Sequence, residues 1–171
     1  HDEKAQAILI TDSEYFAKKV VSYINDFIKK LSTKNIIKKS LKNYGAIIIV
    51  DNLSSSSEII NLIAPEHLHL QNKSSNSIFK RVRNAGAIFI GPHSSEAFGD
   101  YIVGTNHVLP TSSSSRFSSG LGVLDFMKRT SYVKMNKLSS KKFSKHVVKM
   151  ADIENLEGHK LSVKIRQKEK K

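Results

Sequence analysis

Three strand-length apolar runs, at residues 7–10, 46–50 and 86–90, are separated by sequence with helical patterning. The second and third are short, uninterrupted and rich in Ile, which marks strands buried on both faces. Phe16, Val20, Ile24, Phe27 and Leu31 recur at helical spacing between the first two runs. Residues 36–44 predict a second, more basic helix. Ile59, Ile60, Leu62 and Ile63 fill a short helix that Pro65 ends. Residues 67–70 read as a brief strand and 76–84 as a further helix. Thr11 with Glu14, and Ser55 with Glu58, stand at capping-box spacing. The resulting order, β-α-β-α-β-α-β, predicts an α/β fold with a mostly parallel sheet and helices on both faces. Sites in such sheets gather at the carboxyl ends of strands. Here those ends offer Asp12, Asp51 and the loop after Gly91.

A chain of 171 residues makes one domain, with room for an appendage. Its 39% hydrophobic and 25% charged residues are those of a folded protein. No run of about 18 apolar residues exists, which excludes a transmembrane helix. A basic start followed by an apolar run is also missing, so a secretory leader has no support. Cysteine is absent. That removes disulfide scaffolds, thiolate zinc sites and cysteine nucleophiles, and it fits a cytoplasmic location. The chain begins at His1 without an initiator Met, which reads as a processed, truncated or partial protein.

The net charge of +13 makes nucleic acid the first partner to weigh. Only five of the 28 basic residues are Arg, however, and base readout and phosphate forks favour Arg. No aromatic stacking stripe accompanies the lysines. Most of the charge therefore reads as solvated helix faces, with no specific nucleic-acid partner and no membrane partner expected.

Periodicity vanishes over residues 91–122, which are rich in Gly, Ser, Pro, His, Asp and Asn. Long irregular segments inside a compact domain are functional or disordered. Ser112 to Ser115 alone suggest a flexible linker. Tyr101, Val103, Val108, Leu109 and Phe117 argue instead for apolar anchors and order. A helix is expected near 139–156 and a frayed end at 168–171.

Three groupings offer chemistry. Glu66-His67 places two titratable groups side by side, either as an acid–base pair or as a surface Glu beside a strand-edge His. Glu96 and Asp100, with His107 on the same glycine-rich loop, read either as cation ligands or as a solvated turn. Glu154 and His159 are five residues apart, about 140° around a helix, so they share a site only if the helix stops between them. Gly158 is the expected stop. The dinucleotide G-x-G-x-x-G, the phosphate loop, H-E-x-x-H and G-x-S-x-G are all missing.

The loop Glu96-Ala97-Phe98-Gly99-Asp100-Tyr101, followed by Gly104-Thr105-Asn106-His107-Val108-Leu109-Pro110-Thr111, closely resembles the signature of the histidinol dehydrogenases. So do Arg116-Phe117-Ser118-Ser119-Gly120-Leu121, Asp125-Phe126-Met127-Lys128-Arg129 and Ala64-Pro65-Glu66-His67-Leu68. The opening at His1 and the segment from Glu154 to His159 fit the same family. The resemblance runs in order along nearly the whole chain.

That resemblance implies zinc-dependent oxidation of L-histidinol to L-histidine, with NAD taking two successive hydrides. It implies that His67 is the base for the hydroxyl proton and that Glu66 activates water for the second oxidation. His1, Asp100 and His159 match zinc ligands that also touch substrate. Glu154 matches a substrate contact, and Glu96 and His107 match further pocket residues. Residues 1–121 would be an incomplete Rossmann-like catalytic segment. Residues 122–171 would be a mostly helical tail that crosses to the partner of a homodimer. The Gln that precedes the family's first His is missing, as is the region that binds most of the NAD. The chain alone is therefore expected to bind zinc poorly and NAD hardly at all. An inactive remnant and a basic nucleic-acid-binding module are the rival readings.

Overall fold

The computed structural model describes residues 2–167, so His1 and residues 168–171, with the expectations placed on them, lie outside the described residues. The chain divides into two units, one ending at Phe126 and the other beginning at Met127.

In the first unit, β1 (Ile8–Thr11) leads into α1 (Glu14–Ile28), α2 (Lys34–Tyr44) and β2 (Ala46–Ile49). A 3₁₀ turn at Leu53–Ser55 precedes α3 (Ser56–Ile63). Then follow β3 (His67–Leu70), α4 (Ser75–Phe79), β4 (Ala87–Ile90) and α5 (Glu96–Tyr101). The strands pair in parallel as the element order predicts, but not as one sheet. β1 pairs only with β2, with Ile8 opposite Ala46, and β3 pairs only with β4, with His67 opposite Ala87. The described residues thus form two separate two-stranded ribbons.

Local chemistry explains where the elements depart from expectation. Ser13, not Thr11, caps α1: its Oγ accepts from the Phe16 amide at 3.1 Å, because Thr11 is still inside β1. Ser55 does not cap α3, since its hydroxyl donates to the Asn52 carbonyl at 2.7 Å. Asn52 instead caps the preceding 3₁₀ turn. α4 stops at Phe79, well short of residue 84. The Asn61 side-chain carbonyl accepts from the amides of Arg83 and Asn84 at 2.7 and 3.1 Å and holds them out of a helix.

The core of this unit is small. Ile60, Leu70 and Ile78 are buried together, and Ile10, Leu53, Leu68, Val82 and Ile88 pack against them. Much apolar surface stays open. On β2, Ile47 and Ile49 are 41% and 52% exposed. An open apolar groove runs between Val20, Tyr23, Ile24 and Phe27 on α1 and Ile37 and Leu41 on α2. The chain's accessible surface is 14064 Å². Two separate compact bodies of these sizes would expose about 10,000 Å².

The second unit is a helical hairpin of α6 (Lys137–Ile153) and α7 (Glu157–Gln167). Asn136 caps α6, accepting from the Ser139 amide at 2.8 Å. The break falls at Glu154 and Asn155, the latter at φ 55°, not at Gly158, which lies inside α7. Asn resembles Gly in tolerating left-handed backbone at a helix end. Among the described residues no helix is long and apolar enough to cross a membrane.

Candidate proton-transfer site

The candidate site is assembled where α3 stops. Ala64 takes up left-handed backbone at φ 51°, and Pro65 follows it, so the chain turns sharply into β3. A helix end leaves carbonyls without intrahelical partners. Residues 113–116 satisfy three of them. Ser113 Oγ donates to the Ile63 carbonyl at 2.7 Å and Ser115 Oγ to that of Ala64 at 3.1 Å. The Arg116 guanidinium donates to the Leu62 carbonyl. The serine run is therefore an ordered cap. Tyr101, Val103, Val108 and Phe117 are exposed and not part of the core, whereas Leu109 is half-buried and Pro110 buried.

The other side of the turn is held by backbone. Gly86 donates to the Pro65 carbonyl at 2.9 Å and Ala87 to that of Glu66 at 2.8 Å. A Cβ on Gly86 would stand 2.6 Å from the Glu66 carbonyl oxygen. Only glycine permits that approach. Glu66 and His67 consequently sit at the amino end of a strand, not at a carboxyl end.

Around the His67 ring stand two carboxylates. Asp100 Oδ1 lies 3.4 Å from Nε2, and Glu66 Oε1 lies 4.0 Å from Nδ1. The first is a long hydrogen bond and the second lies beyond hydrogen-bond distance. The ring stacks on Phe89 with centroids 5.9 Å apart. The His67 and Asp100 side chains are 32% and 31% exposed, so both are reachable from solvent. Asp100 reaches His67 because Gly99 is buried against Phe89. A Cβ there would meet the ring at 2.6 Å. Thr105 Oγ1 ties the same turn down by donating to the Gly99 carbonyl at 2.8 Å. A cleft of about 990 Å³ adjoins the site through Phe89 and Gly99, with His93, Ser95, Thr105 and Asn106 on its walls. Clefts of this size hold small ligands.

Glu66, His67 and Asp100 are thus brought together. Glu96 and His107 are exposed, and neither bonds to those three; Ser95 Oγ donates to Glu96 at 3.4 Å. Asp12 and Asp51 are exposed and bond to no site residue. Glu154 is the last-turn cap of α6 and His159 stands in the first turn of α7, both exposed in the second unit. The sequence reading assigned no role to Phe89, Gly86, Gly99 or the Ser113–Arg116 cap. An isolated glycine at the start of an apolar strand is a signal of close backbone approach, and Gly86 is such a case.

Fold and site together define an α/β protein whose histidine, flanked by carboxylates, suits proton transfer. Comparison with known proteins narrows that class. The histidinol dehydrogenase family profile matches residues 1–167. The chain is 48% identical over 167 residues to a histidinol dehydrogenase of Rhodospirillum rubrum, covering 97% of the chain and 38% of that protein. It is 42% identical over 166 residues to histidinol dehydrogenase 1 of a Nostoc species, with coverage of 97% and 38%. The crystal structure of histidinol dehydrogenase from Elizabethkingia anophelis superposes with a TM-score of 0.88 at 31% identity, over 97% of this chain and 38% of that one. The chain belongs to the histidinol dehydrogenase family, and it spans less than two fifths of the length of these relatives.

Proposed function

We propose that the protein carrying these residues oxidises L-histidinol to L-histidine in two successive NAD-linked steps. The observation that carries the reading is the His67 ring set between Glu66 and Asp100 in a chain of this family. In the first step His67 takes the alcohol proton as hydride leaves the same carbon, which gives the aldehyde. In the second, Glu66 takes a proton from water as it adds to the aldehyde carbon, and a second hydride then leaves to give the acid. Two NAD molecules are reduced per histidinol, and the water supplies the added oxygen. A base near neutral pH suits the first removal, and imidazole is the side chain closest to that range.

The proposed metal ligands are Asp100, His159 and His1, one carboxylate and two imidazoles, a donor set that zinc accepts. Among the described residues no three His or carboxylate side chains stand close enough to hold a metal ion, and Asp100 faces the single imidazole of His67. In this reading the tail crosses to the partner of a homodimer, so His159 and Glu154 serve the neighbour's site and not their own. When bound, zinc would hold and orient the substrate's nitrogens while NAD accepts hydride. Glu154, Glu96 and His107 would line the substrate's remaining surface. The exposed Phe143, Val147 and Met150 of α6 and Leu161 and Ile165 of α7 support the reading of this hairpin as the dimer-crossing tail.

The test uses the complete protein. His67→Asn is expected to lower kcat for histidinol-dependent NADH formation by about 10²–10⁴-fold, the range typical of a lost general base. Glu66→Gln is expected to slow the second oxidation selectively, so that a single turnover yields fewer than two NADH per histidinol. Full activity in His67→Asn would refute the assignment.

A further inference from the structure

The ribbon that carries His67 has two unlike faces. Leu68, Leu70 and Ile88 turn to the core, so His67, His69, Ala87 and Phe89 project from the other side, as strand alternation requires. Phe89 stands directly opposite His69 in the ladder and diagonal to His67. Its ring has neighbours on three sides. The His67 ring stacks on it with centroids 5.9 Å apart and planes at 27°. The His69 ring meets it edge-on, at 6.4 Å and 72°. Both contacts fall in the range that aromatic pairs favour. The third neighbour is the Gly99 backbone, where a Cβ would come within 2.6 and 2.8 Å of two outer carbons of the ring. His69 is itself held, because its Nε2–H donates to the Gly91 carbonyl at 2.9 Å.

The His67 imidazole needs such a wall. The last torsion of a histidine side chain has only a broad preference, so packing or good hydrogen bonds must set the angle of the ring. Among the described residues its one hydrogen bond is the 3.4 Å contact with Asp100, which is longer than usual, and Glu66 stands farther off at 4.0 Å. Polar contacts of that length direct a ring weakly, which leaves the stack on Phe89. The same ring also places Asp100. α5 lies this close to β4 only because residue 99 has no side chain to meet Phe89, and Asp100 is the next residue of that helix.

We propose that Phe89 is a positioning residue: it sets the angle of the His67 imidazole and seats Asp100 opposite it. The proposal rests on the reading of His67 as the base. A base removes a proton efficiently only when its lone pair points at that proton, and misplacement by about 1 Å costs about 10²-fold in rate.

The experiment measures histidinol-dependent NADH formation by the complete protein. Phe89→Leu keeps an apolar side chain and removes the flat face. It is expected to lower kcat about 10–100-fold while KM for histidinol and for NAD stays within about threefold. The loss has to pass through His67, so in a His67→Asn background the same change is expected to cost less than about twofold. Leu lacks the outer ring carbons that face Gly99, so Gly99→Ala is expected to cost far less when added to Phe89→Leu than when made alone. Phe89→Met, nearer in volume and equally without a flat face, carries the same expectation if Phe89→Leu does not fold. Phe89 also lines the cleft, so a lost ligand contact is the rival account; it shows as a raised KM with kcat unchanged. That result would overturn the proposal, as would an equal fold-loss from Phe89→Leu with and without His67. Full activity in His67→Asn removes the base assignment on which the proposal rests. Unchanged kcat in Phe89→Leu beside an impaired His67→Asn overturns the role of Phe89 and leaves the base in place.

Discussion

Gly86→Ala is the most informative single substitution in the first unit. The added Cβ would lie 2.6 Å from the Glu66 carbonyl oxygen and 3.3 Å from the Glu66 carbonyl carbon and Cα. All three contacts are backbone, so no flexible side-chain end can move aside. The turn must open, which breaks the bonds from Gly86 to Pro65 and from Ala87 to Glu66. Two hydrogen bonds at about 1 kcal/mol each, with a small-to-large clash of about 1 kcal/mol or more, give a loss of about 2–4 kcal/mol. With a urea m-value of about 2 kcal/mol/M, the unfolding midpoint should fall by about 1–2 M. Urea unfolding followed by circular dichroism measures that shift. Gly91→Ala is the control. Its site is open, and its only cost is the strain of φ +90°. It should destabilise the chain without moving the amide and ring resonances of Glu66 and His67, whereas Gly86→Ala should move both sets. An unchanged midpoint in Gly86→Ala, with Ala87 still protected from exchange, would refute the close-approach account.

The remaining substitutions and titrations probe other features. Ser112 and Ser113 both hold left-handed backbone, at φ 51° and 63°, but only Ser113 bonds through its hydroxyl to Ile63. Ser112→Gly should stabilise the chain by about 0.5–1 kcal/mol, while Ser113→Gly should gain almost nothing because the lost bond offsets the relieved strain; thermal unfolding compares the two. Gly158 lies in α7 with open space around it, so Gly158→Ala should stabilise the hairpin by about 0.5–1 kcal/mol, read as increased helix content on heating. Equilibrium dialysis of this chain alone should show weak zinc binding and negligible NAD binding, since among the described residues no three His or carboxylate side chains could hold a metal ion. Tight zinc binding by the isolated chain would refute that expectation.

Much of the local structure was legible because it rests on local rules. The apolar runs became strands, the Phe16–Leu31 spacing became α1, and Pro65 marked the end of α3. Glu66-His67 and Asp100 stood out through family motifs, and the fold brings them together. What escaped was set by distant partners. α4 is short because an amide about twenty residues earlier in the chain captures Arg83 and Asn84. The serine run looks like a linker until three carbonyls at the end of α3, about fifty residues away, are seen to need donors. Gly158 carried the expected stop signal, yet Asn155 took the left-handed position ahead of it.

The split sheet has a different cause, and it joins the sequence pattern to the exposed surface. A run such as Ala46-Ile47-Ile48-Ile49-Val50 has no polar alternation, which is the pattern of a strand covered on both faces. In the structure Ile47 and Ile49 are nevertheless exposed, and among the described residues β1 pairs with β2 alone and β3 with β4 alone. A strand face is buried by a layer packed on it, and the described residues leave Ile47 and Ile49 without one. Sequence periodicity reports how a strand must be buried, while the neighbour that buries it can lie anywhere in a longer polypeptide.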